Sequence, residues 1–258
     1  MIDPAPPPDP DTQARQESGI GAVPWRVTDA IAVLVLWIVA AFAVGGIVIY
    51  GLQRLFPTVP GDAFTLSVTQ VILAAVVVYF IRVRYPGAVG RLFGPVAPSA
   101  AAVLGGIGFG FIALAVFGFG LGNLLQLIAN AMQAELPEVQ EEFRELAVQE
   151  SATPLLLLGA VVFGPVAEEL FYRGLLFTAL RRRLPLWPAM GLSGLLFGVS
   201  HLQTTLDGYL LVLLVIIPLG MFLAWIYERR GTLVVPILAH AVFNGVQVVL
   251  LIRSGGQL

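Results

Sequence analysis

The chain has 258 residues, of which 58% are hydrophobic and only 12% charged, with a formal net charge of -2. A soluble domain carries about twice that charged fraction, so the composition excludes an ordinary water-soluble enzyme and leaves no basic footprint for a nucleic-acid partner. Cysteine is absent, which removes thiol nucleophiles, thiolate metal sites and disulfides together.

Residues 1–24 are acidic and proline-rich (Asp3, Pro4, Pro6, Pro7, Pro8, Asp9, Pro10, Glu17) and read as a disordered tail. A secretory signal needs a basic start followed directly by a short apolar core; here the first apolar stretch begins late and is long, which predicts a retained helix. Apolar segments of spanning length follow at about 28–51, 64–82, 100–128, 154–180, 187–202, 209–227 and 232–252, the fifth being short. They predict an all-α, polytopic transmembrane bundle of about seven spans, forming one domain over residues 25–258 without internal repeat.

The arginines test that count. Arg15, Arg26, Arg82, Arg84, Arg91, Arg181, Arg182, Arg183, Arg229 and Arg230 all fall on one side of a seven-span arrangement, and Arg54, Arg144 and Arg253 on the other. The positive-inside rule then puts the N-terminus in the cytoplasm and the C-terminus outside. The acidic connection 130–151 places Leu136, Val139, Phe143, Leu146 and Ala147 at helical spacing, predicting an amphipathic helix at the outer surface, with a lid over a lateral entrance as the bolder reading. Glycines crowd the third span (Gly105, Gly106, Gly108, Gly110, Gly118, Gly120, Gly122), as expected where helices pack closely.

The fourth span carries Ala167-Glu168-Glu169-Leu170-Phe171-Tyr172-Arg173-Gly174, three charges at membrane depth. Each costs roughly 2.5 to 3.5 kcal/mol at a helix centre on insertion scales, so pairing, a wet cavity or a function must offset them. Glu169 and Arg173 are spaced i, i+4 and can pair, whereas Glu168 is turned about 100° away and left for chemistry. The two histidines of the chain also fall within spans: His201, with Phe197 four residues before it, and His240, with Asn244 four residues after it on the same face. At about 1.5 Å per residue, Glu168 lies about 20 Å from Arg181 and His240 about 15 Å from Arg230, so three helices can deliver these groups to one layer. Pro165 and Pro236 interrupt backbone hydrogen bonding nearby, which is tolerated where the backbone is buried in protein or lines a wet cavity. A carboxylate and an imidazole can hold and deprotonate a water, while an imidazole and an amide N–H can stabilise an oxyanion. The alternative is a polar cluster that only locks helices together.

Glu168-Glu169-x-x-x-Arg173, Phe197-x-x-x-His201 and His240-x-x-x-Asn244, in that order on successive spans, resemble the CAAX protease and bacteriocin-processing (CPBP, or Abi) family of intramembrane proteases. The resemblance covers a core of about 154–252. It implies an endopeptidase that cuts a peptide bond in or near the bilayer, with Glu168 as general base, His201 positioning the water, Glu169 and Arg173 ordering the site, and His240 with Asn244 forming the oxyanion hole. It further implies a peptide or protein substrate, possibly lipidated, membrane lipid as the surrounding partner, and residence in a bacterial inner membrane. The family has been described both as metalloproteases and as glutamic proteases. The glutamic type, with no cofactor, is favoured, because no His-Glu-x-x-His motif is present and Arg173 opposes a cation; zinc is the alternative. Two rival readings remain. One is a rhomboid-like serine protease using Ser193, in Gly191-Leu192-Ser193-Gly194, with His240; the other is a non-catalytic scaffold or immunity protein. A transporter is disfavoured by the lack of repeat symmetry.

Overall fold

The computed structural model describes residues 19–20, 22–133, 141–201 and 206–256. Among them the chain forms helices and no strand, in the order α1 (Val27–Leu55), α2 (Gly61–Arg84), a 3₁₀ turn (Val89–Phe93), α3 (Ala100–Ala131), α4 (Glu141–Ala147), α5 (Thr153–Arg181), α6 (Leu186–Val199), α7 (Leu206–Arg230) and α8 (Val234–Arg253). Six of these helices are long and apolar enough to cross a membrane, and α6 is a shorter apolar helix at the position of the fifth predicted span. The protein is an integral membrane protein built as a helical bundle.

The helices divide sharply by what surrounds them. Along α1, Ile31, Val35, Val39, Phe42 and Ile47 are exposed, a surface suited to acyl chains. In α5 every residue from Glu169 to Arg181 is buried. Enclosed on every side over that stretch, α5 is the axis about which the other helices pack.

Small residues set the closest approaches. On α3, a Cβ at Gly106 would stand 2.7 Å from Leu238 Cβ, and one at Gly110 would stand 2.9 Å from the Ala239 carbonyl, so the Gly-x-x-x-Gly face seats α3 against α8. Gly105 and Gly108 have open space around them, so the glycine run is only partly a packing device. On α6, a Cβ at Gly194 would meet Met221 Cγ at 2.7 Å and one at Gly198 would meet Ile217 Cγ1 at 2.6 Å, seating α6 on α7.

Hydrogen bonds between connections group the helix ends as the arginine count requires. Arg182 Nη1 donates to the Trp25 carbonyl (2.6 Å), Arg91 Nη1 to the Ala22 carbonyl (3.1 Å), and Val96 N–H to the Gly231 carbonyl (2.8 Å). At the opposite end Ser151 Oγ donates to the Thr58 carbonyl and Arg144 Nε to the Gly256 carbonyl, both at 2.8 Å. There α4 turns Leu146 and Ala147 into a second apolar cluster with Ala63, Leu156, Val248 and Leu251. The amphipathic helix is thus present over Glu141–Ala147 with its apolar face against the bundle; residues 134–140 of that connection lie outside the described residues.

Two expectations need correction. The disordered tail was placed at 1–24, yet Ile20 (2% exposed) and Val23 (7%) are buried, and Trp25 is fully enclosed, its Nε1–H donating to Thr178 Oγ1 (2.8 Å). Ile20 and the chain from Ala22 to Trp25 strap the arginine-rich end of the bundle; residues 1–18 and 21 lie outside the described residues. Pro236 does not interrupt its helix either: it occupies the first turn of α8, where backbone N–H groups have no intrahelical acceptor to lose.

Candidate active site

The site is assembled on α5, α2, α6 and α8. The winding of α5 matters first, because it passes through π-helical turns at Leu158–Phe163 and Leu170–Phe177, with one short α-helical stretch, Gly164–Glu169, between them. Wide turns of this kind recur at functional sites, and here they flank the two glutamates. In the first, Gly164 N–H reaches the Gly159 carbonyl. The same winding would pair the Ala160 carbonyl with the N–H of Pro165, which has none. Asn244 on α8 supplies the missing donor: its Nδ2 lies 3.0 Å from the Ala160 oxygen. Facing a carbonyl fixes the orientation of that amide, and a carboxamide nitrogen has a second N–H to give.

Glu169 is the hub of the charged cluster. Arg173 Nη1 donates to Glu169 Oε1 at 2.7 Å, with both side chains fully buried, as the i, i+4 spacing predicts. The same oxygen accepts from His240 Nδ1 at 3.0 Å. Arg173 Nη2 donates to the Gly220 carbonyl on α7 (3.1 Å), and its guanidinium carbon lies 4.5 Å from the centre of the Phe197 ring. Two atoms of the pair, Glu169 Oε2 and Arg173 Nε, are buried without a hydrogen-bond partner in the protein.

Glu168 points elsewhere and is 17% exposed. Its Oε1 accepts from Gln70 Nε2 on α2 (3.0 Å), and its Oε2 lies 3.8 Å from His240 Nε2. That second distance is too long for a direct hydrogen bond, so both atoms are left to bind a third group beside them. His240, 2% exposed, therefore presents one ring nitrogen to each glutamate.

His201 is held differently. Its Nδ1 lies 2.7 Å from the Phe197 carbonyl, which can only accept, so Nδ1 carries a proton and Nε2 is the nitrogen left to face a ligand. Phe197 is fully buried and its ring stands 4.7 Å from that of His201 and 5.7 Å from that of His240. Among the described residues no hydrogen bond or ion pair joins His201 to either glutamate. The sequence-derived residues thus fall into a directly bonded group (Glu169, Arg173, His240), a Glu168 whose Oε2 stands 3.8 Å from His240 Nε2, an Asn244 on α8 anchored to the Ala160 carbonyl of α5, and a His201 that packs on Phe197.

Gln70 was not anticipated. A lone carboxamide between Thr69 and Val71 in an apolar span was the available signal, but nothing in the sequence says which helix it faces. Ser193 is fully buried and its hydroxyl donates to the Tyr172 carbonyl (3.3 Å), with no bond to either histidine among the described residues. The donor set also fits zinc poorly. A catalytic zinc takes three protein ligands, whereas Glu168 and His240 converge as two, Arg173 brings a cation against Glu169, and no metal-binding group of three exists among the described residues.

Comparison with known proteins bears on the same segment. Residues 150–246 match the family model described as type II CAAX prenyl endopeptidase Rce1-like. Over 93 residues the chain is 31% identical to the protein of Bacillus subtilis (strain 168) named "Putative membrane peptidase YdiL", covering 36% of each chain. The match thus spans about a third of the length of that curated relative. No solved structure matches.

Proposed function

We propose, from the match of residues 150–246 to the Rce1-like family of CAAX prenyl endopeptidases, that the protein is an intramembrane endopeptidase of the glutamic type. The observation that carries the reading is the pairing of a part-exposed carboxylate, Glu168 Oε2, with His240 Nε2 across 3.8 Å. The Arg173 guanidinium offsets the charge of Glu169, and His240 stands between the two glutamates with one ring nitrogen toward each. A water between the two atoms accepts from His240 Nε2–H and donates to Glu168 Oε2.

Hydrolysis then runs in two steps. The water oxygen bonds to the scissile carbonyl carbon as Glu168 takes its proton, and the oxyanion is met by His240 Nε2–H and the second N–H of Asn244. Glu168 passes that proton to the amide nitrogen as the C–N bond breaks, giving a carboxylic acid and an amine. Glu169 and Arg173 hold the imidazole in register, and His201 Nε2 orients the water's other hydrogen once a peptide is seated. The chemistry needs no metal, so a chelator is expected to leave the rate unchanged; chelator-sensitive activity restored by zinc sinks the glutamic assignment.

The family description suggests the first probe, a fluorogenic peptide ending in a prenylated Cys-aliphatic-aliphatic-X sequence, assayed beside its unprenylated twin. Glu168→Gln is expected to lower cleavage at least about 10³-fold, in keeping with loss of a general base and its water, while thermal unfolding in detergent stays put. Cleavage retained by that variant, or a wild-type protein that cuts neither these peptides nor a membrane-peptide library read by mass spectrometry, overturns the reading.

The arginine-rich end is proposed to face the cytoplasm of a bacterial cell, with the C-terminus outside. Because the chain has no cysteine, single thiols report this cleanly. An impermeant maleimide applied outside intact cells is expected to label Phe56→Cys and spare Phe93→Cys.

A further inference from the structure

We infer that Gln70 is a positioning residue for Glu168, selecting which carboxylate oxygen acts as base; this rests on the peptidase reading above. The argument begins with the carboxamide itself. Its Nε2 lies 3.0 Å from Glu168 Oε1, and an ionised carboxylate can only accept, so the nitrogen and not the oxygen faces it. The opposite flip would set two acceptors against each other.

That bond fixes the division of labour between the carboxylate oxygens. Oε1 is tied to α2, and Oε2 is left facing His240 Nε2 at 3.8 Å. Among the described residues Glu168 has no other anchor of this kind: Arg173 and His240 Nδ1 both bind Glu169 Oε1. A carboxylate on a freely turning side chain would spend part of its time away from the water, and a base misplaced by about 1 Å costs about 10²-fold. Gln70 Oε1 is buried with no hydrogen-bond partner in the protein. Half of this amide is thus left unsatisfied in an apolar span while the other half holds Glu168, a placement that packing alone does not call for.

The inference separates Gln70 from a residue that only fills space. Gln70→Met keeps the volume and removes the donor. With full-length protein in detergent and the cleavable peptide of the preceding section, kcat is expected to fall about 10- to 100-fold, with KM changed less than about twofold. A fall in kcat at unchanged KM, in protein whose thermal transition stays in place, reports on the placement of the base; a folding defect lowers the thermal transition instead. Gln70→Glu keeps polarity and nearly the same volume but sets a like charge beside Glu168; it is expected to cut kcat further than Gln70→Met and serves if the methionine variant fails to fold.

A wild-type kcat in a folded Gln70 variant, with Glu168→Gln inactive, defeats the Gln70 inference and leaves the peptidase reading standing. A Glu168→Gln protein as active as wild type defeats both.

Discussion

Helix α5 carries two buried arginine–glutamate pairs eight residues apart, and they are built to opposite ends. Arg181 closes on itself: Nε and Nη2 both engage the Glu228 carboxylate, the shortest contact being 2.7 Å, and Nη1 donates to the Leu184 carbonyl, so each guanidinium nitrogen has a partner. Arg173 is open: Nε has no partner, Glu169 Oε2 has none, and Glu169 Oε1 is shared with an imidazole that reaches on toward Glu168. Both pairs bear a desolvation cost of the same order. The closed one joins α5 to α7 and ends there, whereas the open one continues through His240 toward Glu168, the carboxylate proposed as base.

Replacing pairs by apolar residues breaks this comparison most forcefully. Removing one partner of a buried pair costs roughly 3 to 5 kcal/mol, and replacing both with apolar residues of similar volume is often neutral. Arg173→Met is therefore expected to destabilise strongly, and Glu169→Leu with Arg173→Met to regain stability to within about 1 kcal/mol while cleavage stays at least about 10²-fold down. Thermal unfolding and the peptide assay read the two effects separately. Recovery of cleavage in the double variant would remove Glu169 and Arg173 from the site.

The companion experiment is Arg181→Met, alone and with Glu228→Leu. The single variant is expected to lose a similar roughly 3 to 5 kcal/mol, and the double variant to regain stability and also activity, to within about threefold of wild type. If the second double variant stays inactive once refolded, the two pairs do not differ in the way proposed.

A smaller effect tests the backbone beneath the open pair. Asn244→Ala leaves the Ala160 carbonyl without a donor, which costs about 1 to 3 kcal/mol. Pro165→Ala restores an N–H at the position that the π-turn would use. The asparagine substitution is therefore expected to cost less in the Pro165→Ala background, with a coupling of about 1 kcal/mol in a double-mutant cycle. Additive losses would show that Asn244 does not serve that carbonyl.

These contrasts also mark what the sequence makes legible. Hydropathy locates the spans because lipid demands long apolar helices, and i, i+4 spacing pairs Glu169 with Arg173 because that contact lies within one helix. Contacts between helices are a different matter. Gln70 meets Glu168 across 98 positions, and Asn244 meets Ala160 across 84, each through a packing geometry that no local pattern encodes. The π-turns shift the faces of α5 relative to an α-helical projection, so a wheel drawn at 100° per residue misplaces what lies beyond them. Trp25 was missed for a related reason: a few apolar residues after a proline-rich tail carry no periodicity, and their burial depends on Thr178 and Leu175 being there to receive the indole N–H. Phe197 and His201, four residues apart, pack ring to ring at 4.7 Å, but a contact with the glutamates does not follow from that spacing and none is formed among the described residues.

Ser193 gives the smallest expected effect and a sharp test of the serine alternative. Its neighbours in Gly191-Leu192-Ser193-Gly194 suggested a nucleophile, yet a Cβ at Gly194 would lie 2.7 Å from Met221 Cγ and 2.8 Å from the Ile217 carbonyl, so that glycine is required by the α6–α7 contact. Ser193 itself is enclosed, and its hydroxyl is spent on the Tyr172 carbonyl of α5. It therefore belongs with Arg181 among the groups that fasten helices. Ser193→Ala is expected to cost about 1 kcal/mol or less of stability, the net worth of one neutral hydrogen bond, and to leave kcat within about twofold. A nucleophile would lose several orders of magnitude on the same change, so a large loss of cleavage in a protein that still melts normally would transfer the chemistry from Glu168 to Ser193.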